Sequence, residues 1–433
     1  MAHHRTMSLS ADVVVSCALQ HYKSLPNHGK PREGQEWTVY AALVVSSSID
    51  KYVLCSATGS KCTTTGPEGW CLRDLHAEVL VKRGFQRLLW KEIRSGNLKL
   101  LCKLPSDEIP GKEGYALRND IQLHLFISDS PCGDATIYEL NNGDINFTGA
   151  KLIGDADGEL SCWNSTTVTR EETQQLGQLR IKSGRSNLPS HLRSTSLSCS
   201  DKLLKWNLLG LQGSLLPVHP VYLDSIVVSR DPHSKSIQAQ QQALERAVLD
   251  RRQQVIKDVK QKDEFCKTYI DFLSCLEKHQ LTISVVDQVF DSAKSQLVTP
   301  FQPPLSTTNN DSVNKNGKRT MDTTTANNNS KQSKKKKVSP CGFCLNWQQD
   351  DGVEVLVGGR GTRQGKKPTT DADYAKQASR LCRRGVYQLG GATTKTYCDW
   401  KQSAAASREK RKQAVFQTNP LQGWIKSDRD FSL

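Results

Sequence analysis

Three short segments constrain this chain more than any other feature: His76-Ala77-Glu78, Pro131-Cys132-Gly133 and Ser198-Cys199-Ser200, the second cysteine lying 67 residues beyond the first. One imidazole and two thiolates make a ligand set that zinc takes readily, and a catalytic zinc keeps its fourth tetrahedral position for water. A fold that serves such a site must bring three distant segments to one point. Zinc lowers the pKa of water from about 15.7 to roughly 7, but protons still have to be carried. Glu78, two residues from His76, is placed for that. Singly, a His-x-Glu on a helix or a buried Cys means little; together the three segments are a metal-site pattern.

The surrounding patterns place these segments on elements. Glu36 to Val45 and Lys51 to Ala57 are rich in β-branched and aromatic residues around a turn at Ser46 to Asp50, which predicts a hairpin. Leu75, Val79, Leu80, Leu88, Leu89 and Ile93 recur at helical spacing, so a helix should run from near His76 to before Gly96. Ile121, Leu123, Leu125 and Ile127 alternate with Gln122, His124, Phe126 and Ser128 in a strand closed by Pro131, and a short helix is expected from Asp134 to Leu140. Helix starts at His76 and after Cys132 would turn positive dipole ends toward the metal and favour thiolate at Cys132. Ser225 to Ser229 and Val353 to Val357 read as further strands. Residues 236–280 carry Leu244, Val248, Val255, Ile256, Val259, Phe272 and Leu276 at helical spacing and read as a helical insertion. Residues 305–337, rich in Thr, Asn, Ser and Lys, read as a disordered basic linker ending in Lys334 to Lys337. The expectation is one α/β domain over 1–433, core about 36–230 and 340–433, with a mixed sheet flanked by helices.

Charge and cysteine usage bound the partners. The 59 Lys and Arg against 44 Asp and Glu give a formal charge of +15, which favours a polyanion, nucleic acid first. Fourteen cysteines are scattered through the chain and no signal-peptide apolar stretch opens it, so the expected setting is reducing and intracellular, in the nucleus and/or the cytoplasm. No apolar run approaches a membrane span, so no membrane partner is expected, and no obligate protein partner is implied. The Lys334 to Lys337 run suits a nuclear address, an RNA tail or a solubilising face equally. Cys341-Gly342-Phe343-Cys344 has metal-like spacing but no second pair at zinc-ribbon distance. Gly358 to Lys367 has Arg360 and Lys367 where a phosphate loop needs Gly and Ser or Thr, and reads as a turn between strands.

The segments TGSKC (Thr58 to Cys62), LRDLHAEVLVKR (Leu72 to Arg83), SPCGDA (Ser130 to Ala135), SCSDKLLKWN (Ser198 to Asn207), GLQGSLL (Gly210 to Leu216), ASRLCRR (Ala378 to Arg384) and GWIKSDRDF (Gly423 to Phe431) resemble the editase domain of adenosine deaminases acting on RNA. The resemblance implies a cytidine-deaminase-like α/β fold with zinc at converging helix N-termini, ligands His76, Cys132 and Cys199, and Glu78 as the catalytic proton carrier in hydrolytic conversion of adenosine to inosine. Only about 35 residues precede the first expected strand, too few for a double-stranded-RNA-binding domain of on the order of 65 residues. The branch of the family acting on tRNA is therefore the better match, with the adenosine 3′ of the anticodon of alanine tRNA as its substrate. The shorter stretch from Arg180 to Leu197 agrees, because an anticodon loop already presents unpaired bases. Rival readings are an editase for other structured RNA, a free-nucleoside or cytidine deaminase, and a catalytically silent zinc-containing RNA-binding protein. The basic surface speaks against the nucleoside enzyme, and Glu78 against the silent protein, since a structural site has no use for a positioned proton carrier.

The family also encloses inositol hexakisphosphate. The matching positions are Lys82, Arg83, Lys202, Lys205, Trp206, Arg383, Tyr397, Lys401, Arg411, Trp424 and Lys426, and Ser407 stands where the family has a tyrosine. From Arg360 to Lys412 there are fourteen Lys or Arg against four Asp or Glu, and that many like charges need a counter-anion if they converge. Asp74 and Lys202 match a relay from the zinc region toward that anion. Ser60 and Lys61 match positions beside the bound nucleotide, while Thr136 replaces an RNA-contacting arginine.

Overall fold

The structure is a computed structural model of the 433-residue chain. It describes residues 9–104, 114–147, 150–153, 175–182, 194–213, 215–261, 273–297, 338–391, 396, 397, 399, 412, 414–418 and 421. Eight strands, β1 (Tyr40–Ser46), β2 (Lys51–Thr58), β3 (Gln122–Ile127), β4 (Ser225–Ser229), β5 (Thr282–Val286), β6 (Phe343–Gln348), β7 (Gly352–Val357) and β8 (Thr362–Arg363), form one mixed sheet in the order β5-β4-β3-β1-β2-β6-β7-β8. β3, β4 and β5 pair in parallel, and the remaining neighbours are antiparallel. The expected mixed sheet flanked by helices is borne out.

The period of two in β1 explains the layers. Ala41, Leu43 and Val45 join one core with Leu80, Phe85, Leu88 and Leu89 of helix α2 (Ala77–Ser95), whereas Tyr40, Ala42 and Val44 join another with Val14, Val15 and Ala18 of helix α1 (Ala11–Ser24). Both faces of the sheet are thus covered. This is why the alternation of β3 does not leave a wet face: all six of its residues are buried, and His124, at 0% exposure, sits between the Ser46 and Ser225 hydroxyls at 2.9 and 2.8 Å. α2 ends at Gly96, whose φ of 71° is the left-handed cap, in agreement with the expected boundary.

Two expectations are corrected. The stretch from Glu36 is not one strand: Glu36–Trp37 pairs with Ser339–Pro340, and β1 begins only at Tyr40. The helix expected from Asp134 to Leu140 is a single 3-10 turn, Asp134–Thr136, because Glu139 and Leu140 are drawn into bridges with Ile145 and Ser234. α1 was not anticipated at all. Within the stretch expected as a helical insertion, residues 237–260 are helical, as α4 (Ile237–Glu245), a π turn (Arg246–Asp250) and α5 (Arg251–Lys260), and lie against helix α3 (Cys199–Leu209); residues 262–272 lie outside the described residues. The 305–337 linker lies outside the described residues.

Candidate metal centre

A short strand, Asp74–His76, delivers His76 to the first turn of α2, and pairs antiparallel with Ser60–Cys62 so that Ser60 lies opposite His76. Cys132 sits in the loop after β3. Cys199 opens α3, whose N-cap Ser198 accepts from Asp201 N. The two cysteine loops are latched: Ser200 Oγ donates toward the carbonyls of Pro131 and Cys132 at 3.1 and 2.9 Å, and Ser200 N donates to Cys132 O at 3.0 Å. Gly133, at φ 104°, makes the approach possible, since a Cβ there would stand 2.3 Å from Ser198 Oγ.

This brings the expected ligands together. His76 Nδ1 lies 3.8 Å from Cys132 Sγ and 3.5 Å from Cys199 Sγ. Ligand atoms bound tetrahedrally to zinc at 2.0–2.1 Å (N) and 2.3 Å (S) are themselves about 3.6 Å apart, so the residues present fit the ion. Glu78, 2% exposed in the first turn of α2, has an Oε2 with no hydrogen-bond partner among the described residues. Cys62 and Asp74 also lie near His76, but Asp74 is committed elsewhere.

Asp74 anchors a chain of buried charges. Its Oδ2 accepts from Lys182 Nζ (2.9 Å), from Ser196 Oγ (2.7 Å) and from Lys202 Nζ, while Oδ1 accepts from His76 N (3.1 Å). Lys182 Nζ also donates to Cys199 Sγ at 2.9 Å. Burial works against charge on Asp74, yet Lys182 and Lys202 hold its carboxyl well below the usual range. Burial likewise opposes a charged Lys182, but Asp74 and the thiolates raise it well above its ordinary value. Of the two thiols Cys132 ionises first: against the cost of burial, the hydrogen bond from Cys199 and the charges of Lys182 and His76 hold it well below the usual range. The N–H of Cys199 points at that sulfur, 3.3 Å away, so the helix start that favours thiolate at Cys132 belongs to α3.

Asp74 and Lys202, the residues expected as a relay, are in direct contact. Lys182, which reaches Cys199, and Ser196, which joins Asp74, were missed; Lys182 falls in the polar phase of the Leu179, Ile181 alternation, so the local pattern gave no sign of its burial.

The anion-binding candidates cluster on α2, α3 and helix α6 (Arg383–Gly390). The Lys82 ammonium lies 6.0 Å from the Trp206 ring, Arg383 lies 5.6 Å from the Tyr397 ring, and Lys205 lies 5.3 Å from that of Phe416. Burial lowers the Arg83 pKa, and neighbouring Arg383 lowers it further. Lys401, Arg411, Trp424 and Lys426, and most of the stretch from Arg180 to Leu197, lie outside the described residues. Lys61 is on the strand face opposite Ser60 and Cys62, beside Gly358, so it does not join the metal cluster. Thr136 is 1% exposed and donates to Gly133 O at 2.7 Å. Cys341 and Cys344 belong to no ligand cluster among the described residues.

Residues 55–428 match the family model of the adenosine-deaminase (editase) domain. The chain belongs to the editase-domain family. Among editase relatives it is 32% identical to tRNA-specific adenosine deaminase 1 of Drosophila melanogaster over 259 residues, covering 55% of this chain and 58% of that protein. To the Homo sapiens protein of the same name it is 27% identical over 367 residues, covering 57% and 70%. To the double-stranded RNA-specific adenosine deaminase of Mus musculus it is 27% identical over 251 residues, covering 52% of this chain and 20% of that protein. The resemblance read from the motifs is borne out, and no helix among the described residues is long and apolar enough to cross a membrane.

Proposed function

We propose that this protein hydrolyses adenosine to inosine in tRNA, releasing ammonia, at the adenosine 3′ of the anticodon of alanine tRNA. The observation that carries the reading is the buried Oε2 of Glu78, without a hydrogen-bond partner among the described residues, in the helix turn that follows His76, whose nitrogen and two cysteine sulfurs fit one zinc. When bound on His76, Cys132 and Cys199, zinc supplies a water ionised near neutral pH. Glu78 takes up one proton of the attacking water and passes it to N1 of adenine, then takes the proton of the new C6 hydroxyl and delivers it to the departing amine, so atoms and charge balance as adenosine plus water gives inosine plus ammonia. Ser60, opposite His76, supplies a hydroxyl for the nucleotide. The tRNA assignment is supported by the net charge of +15 and by the tRNA-specific relatives.

The same reading includes an inositol hexakisphosphate among Lys82, Arg83, Lys202, Lys205, Trp206, Arg383 and Tyr397, with Lys401, Arg411, Trp424 and Lys426 as its further partners. It is supported by Arg83 Nη1 lying 3.2 Å from the carbonyl of Leu381, two residues before Arg383, and by the Lys82 ammonium 6.0 Å from the Trp206 ring, which bring cations of α2, α3 and α6 into one region.

Sequencing of alanine tRNA after incubation with the purified protein tests the function, because inosine reads as guanosine. An adenosine-to-guanosine change 3′ of the anticodon is expected. Unchanged tRNA together with deamination of free adenosine or cytidine would overturn the tRNA reading.

A further inference from the structure

One helical run grips both cysteine loops from outside. α4, the π turn and α5 are continuous from Ile237 to Lys260. Gln240 Nε2 donates to Ser130 Oγ at 2.9 Å, two residues before Cys132. Two residues after Cys132, Arg246 Nε donates to Asp134 Oδ2 at 3.1 Å, and its Nη2 donates to the carbonyls of Asp134 and Ile137 at 2.8 and 3.0 Å. Arg251 Nη2 pairs at 2.8 Å with Oδ1 of Asp201, two residues after Cys199. The other oxygens of these carboxylates are held by the segment that runs into the strand Arg180–Lys182 and by the start of α3: Asp134 Oδ1 accepts from Gly177 N, and Asp201 Oδ2 from Arg180 N and Ser198 Oγ.

The π turn makes this double grip possible. On an α-helix, residues five apart point about 140° from one another, so Arg246 and Arg251 would face different neighbours. A π turn closes i to i+5 hydrogen bonds and stacks such residues on one face. The turn spans Arg246–Asp250, the interval between the two arginines. Both carboxylates have 0% side-chain exposure, and such groups beside two thiols are tolerated only in the company of cations.

We infer that Arg246 and Arg251 are positioning residues for the metal: through Asp134 and Asp201 they set the separation of Cys132 and Cys199, with Gln240 fixing the near side of the Cys132 loop. This rests on the zinc reading above, and the test separates the two. Zinc content is measured first on the full-length wild-type protein, then the rate of zinc transfer to a chromogenic chelator is followed in wild type and in Arg246→Gln, Arg251→Gln and Arg252→Gln. Arg252 is the control, on the same helix and buried, but donating to Leu276 and His279 carbonyls away from the ligands. Release at least about 10-fold faster from the Arg246 and Arg251 variants, with altered thiolate-to-metal absorption in the cobalt-substituted forms, and near wild-type release from Arg252→Gln are expected. Where a glutamine variant does not fold, Arg246→Lys and Arg251→Lys take its place, with release between wild type and the faster rate. Zinc-loaded wild type with unchanged release in the Arg246 and Arg251 variants overturns the inference, as does equal acceleration by Arg252→Gln. Wild type without zinc overturns the metal reading and this inference with it.

Discussion

Lys182 bridges Asp74 and Cys199, its ammonium 2.9 Å from a carboxylate oxygen on one side and 2.9 Å from a sulfur on the other. A donor to a metal-binding thiolate tempers how much charge that sulfur gives the metal, and it fixes where the sulfur stands. Lys182→Met should lower zinc affinity about 10- to 100-fold, and should cost about 3 kcal/mol of stability by stranding part of the Asp74 charge at 7% exposure. Chelator competition and urea unfolding measure the two effects; unchanged affinity would show that Lys182 acts on Asp74 alone.

Glu78→Gln should keep the fold and the zinc while editing falls by about 10²- to 10⁴-fold, because the amide fills the same space and cannot take up a proton. An inosine assay beside metal analysis decides it. Editing at the wild-type rate would remove Glu78 from the mechanism.

How much of this was legible in the sequence follows from the range of each interaction. The β1–β2 hairpin and the Gly96 end of α2 are local patterns, and they were readable. The grouping of His76, Cys132 and Cys199 was readable because each residue type carries its own chemistry. α1 was missed because Val13, Val14 and Val15 are poor helix formers as a run, and only Val14, Val15 and Ala18 are buried. The Asp134 helix failed because tertiary bridges at Glu139 and Leu140 outweigh local preference. Lys182 and the arginine grip depend on partners 17 to 112 residues away, and no local pattern carries that information.

Cys132→Ala or Cys199→Ala should each lose stoichiometric zinc, whereas Cys341→Ala combined with Cys344→Ala should retain it. Burial pushes the Cys344 thiol up to about 12, and neither thiol of the pair joins a ligand cluster. A full zinc equivalent in both single variants would sink the proposed site, and loss of metal from the double variant would make the CxxC pair a second one.

Stability should fall as the medium is acidified through the histidine range. Burial depresses the His124 pKa from 6.5 to about 4, so between those values the unfolded chain binds the extra proton and stability rises with pH. From pH 7 to pH 5 the loss attributable to His124 is about 2 kcal/mol. Urea titrations at both pH values, in wild type and in His124→Asn, check this; an identical pH dependence in the two proteins would exclude His124 as a source.

Active protein should carry one inositol hexakisphosphate that dialysis does not remove. Arg83 reaches the start of the helix that carries Arg383, its Nη1 3.2 Å from Leu381 O, and adjoins Lys82, which faces the Trp206 ring; like charges gathered there repel unless an anion accompanies them. A compact polyanion neutralises several at once and, through Lys202 and Asp74, reaches the side chains that hold Cys199, so its binding stabilises the folded metal site in particular. Production in a bacterial host lacking the polyphosphate should give insoluble or zinc-poor protein, and supplying inositol hexakisphosphate during folding should restore it. Mass spectrometry of acid-denatured active protein is the direct measurement. A fully active preparation without inositol phosphate would assign the basic cluster to RNA instead.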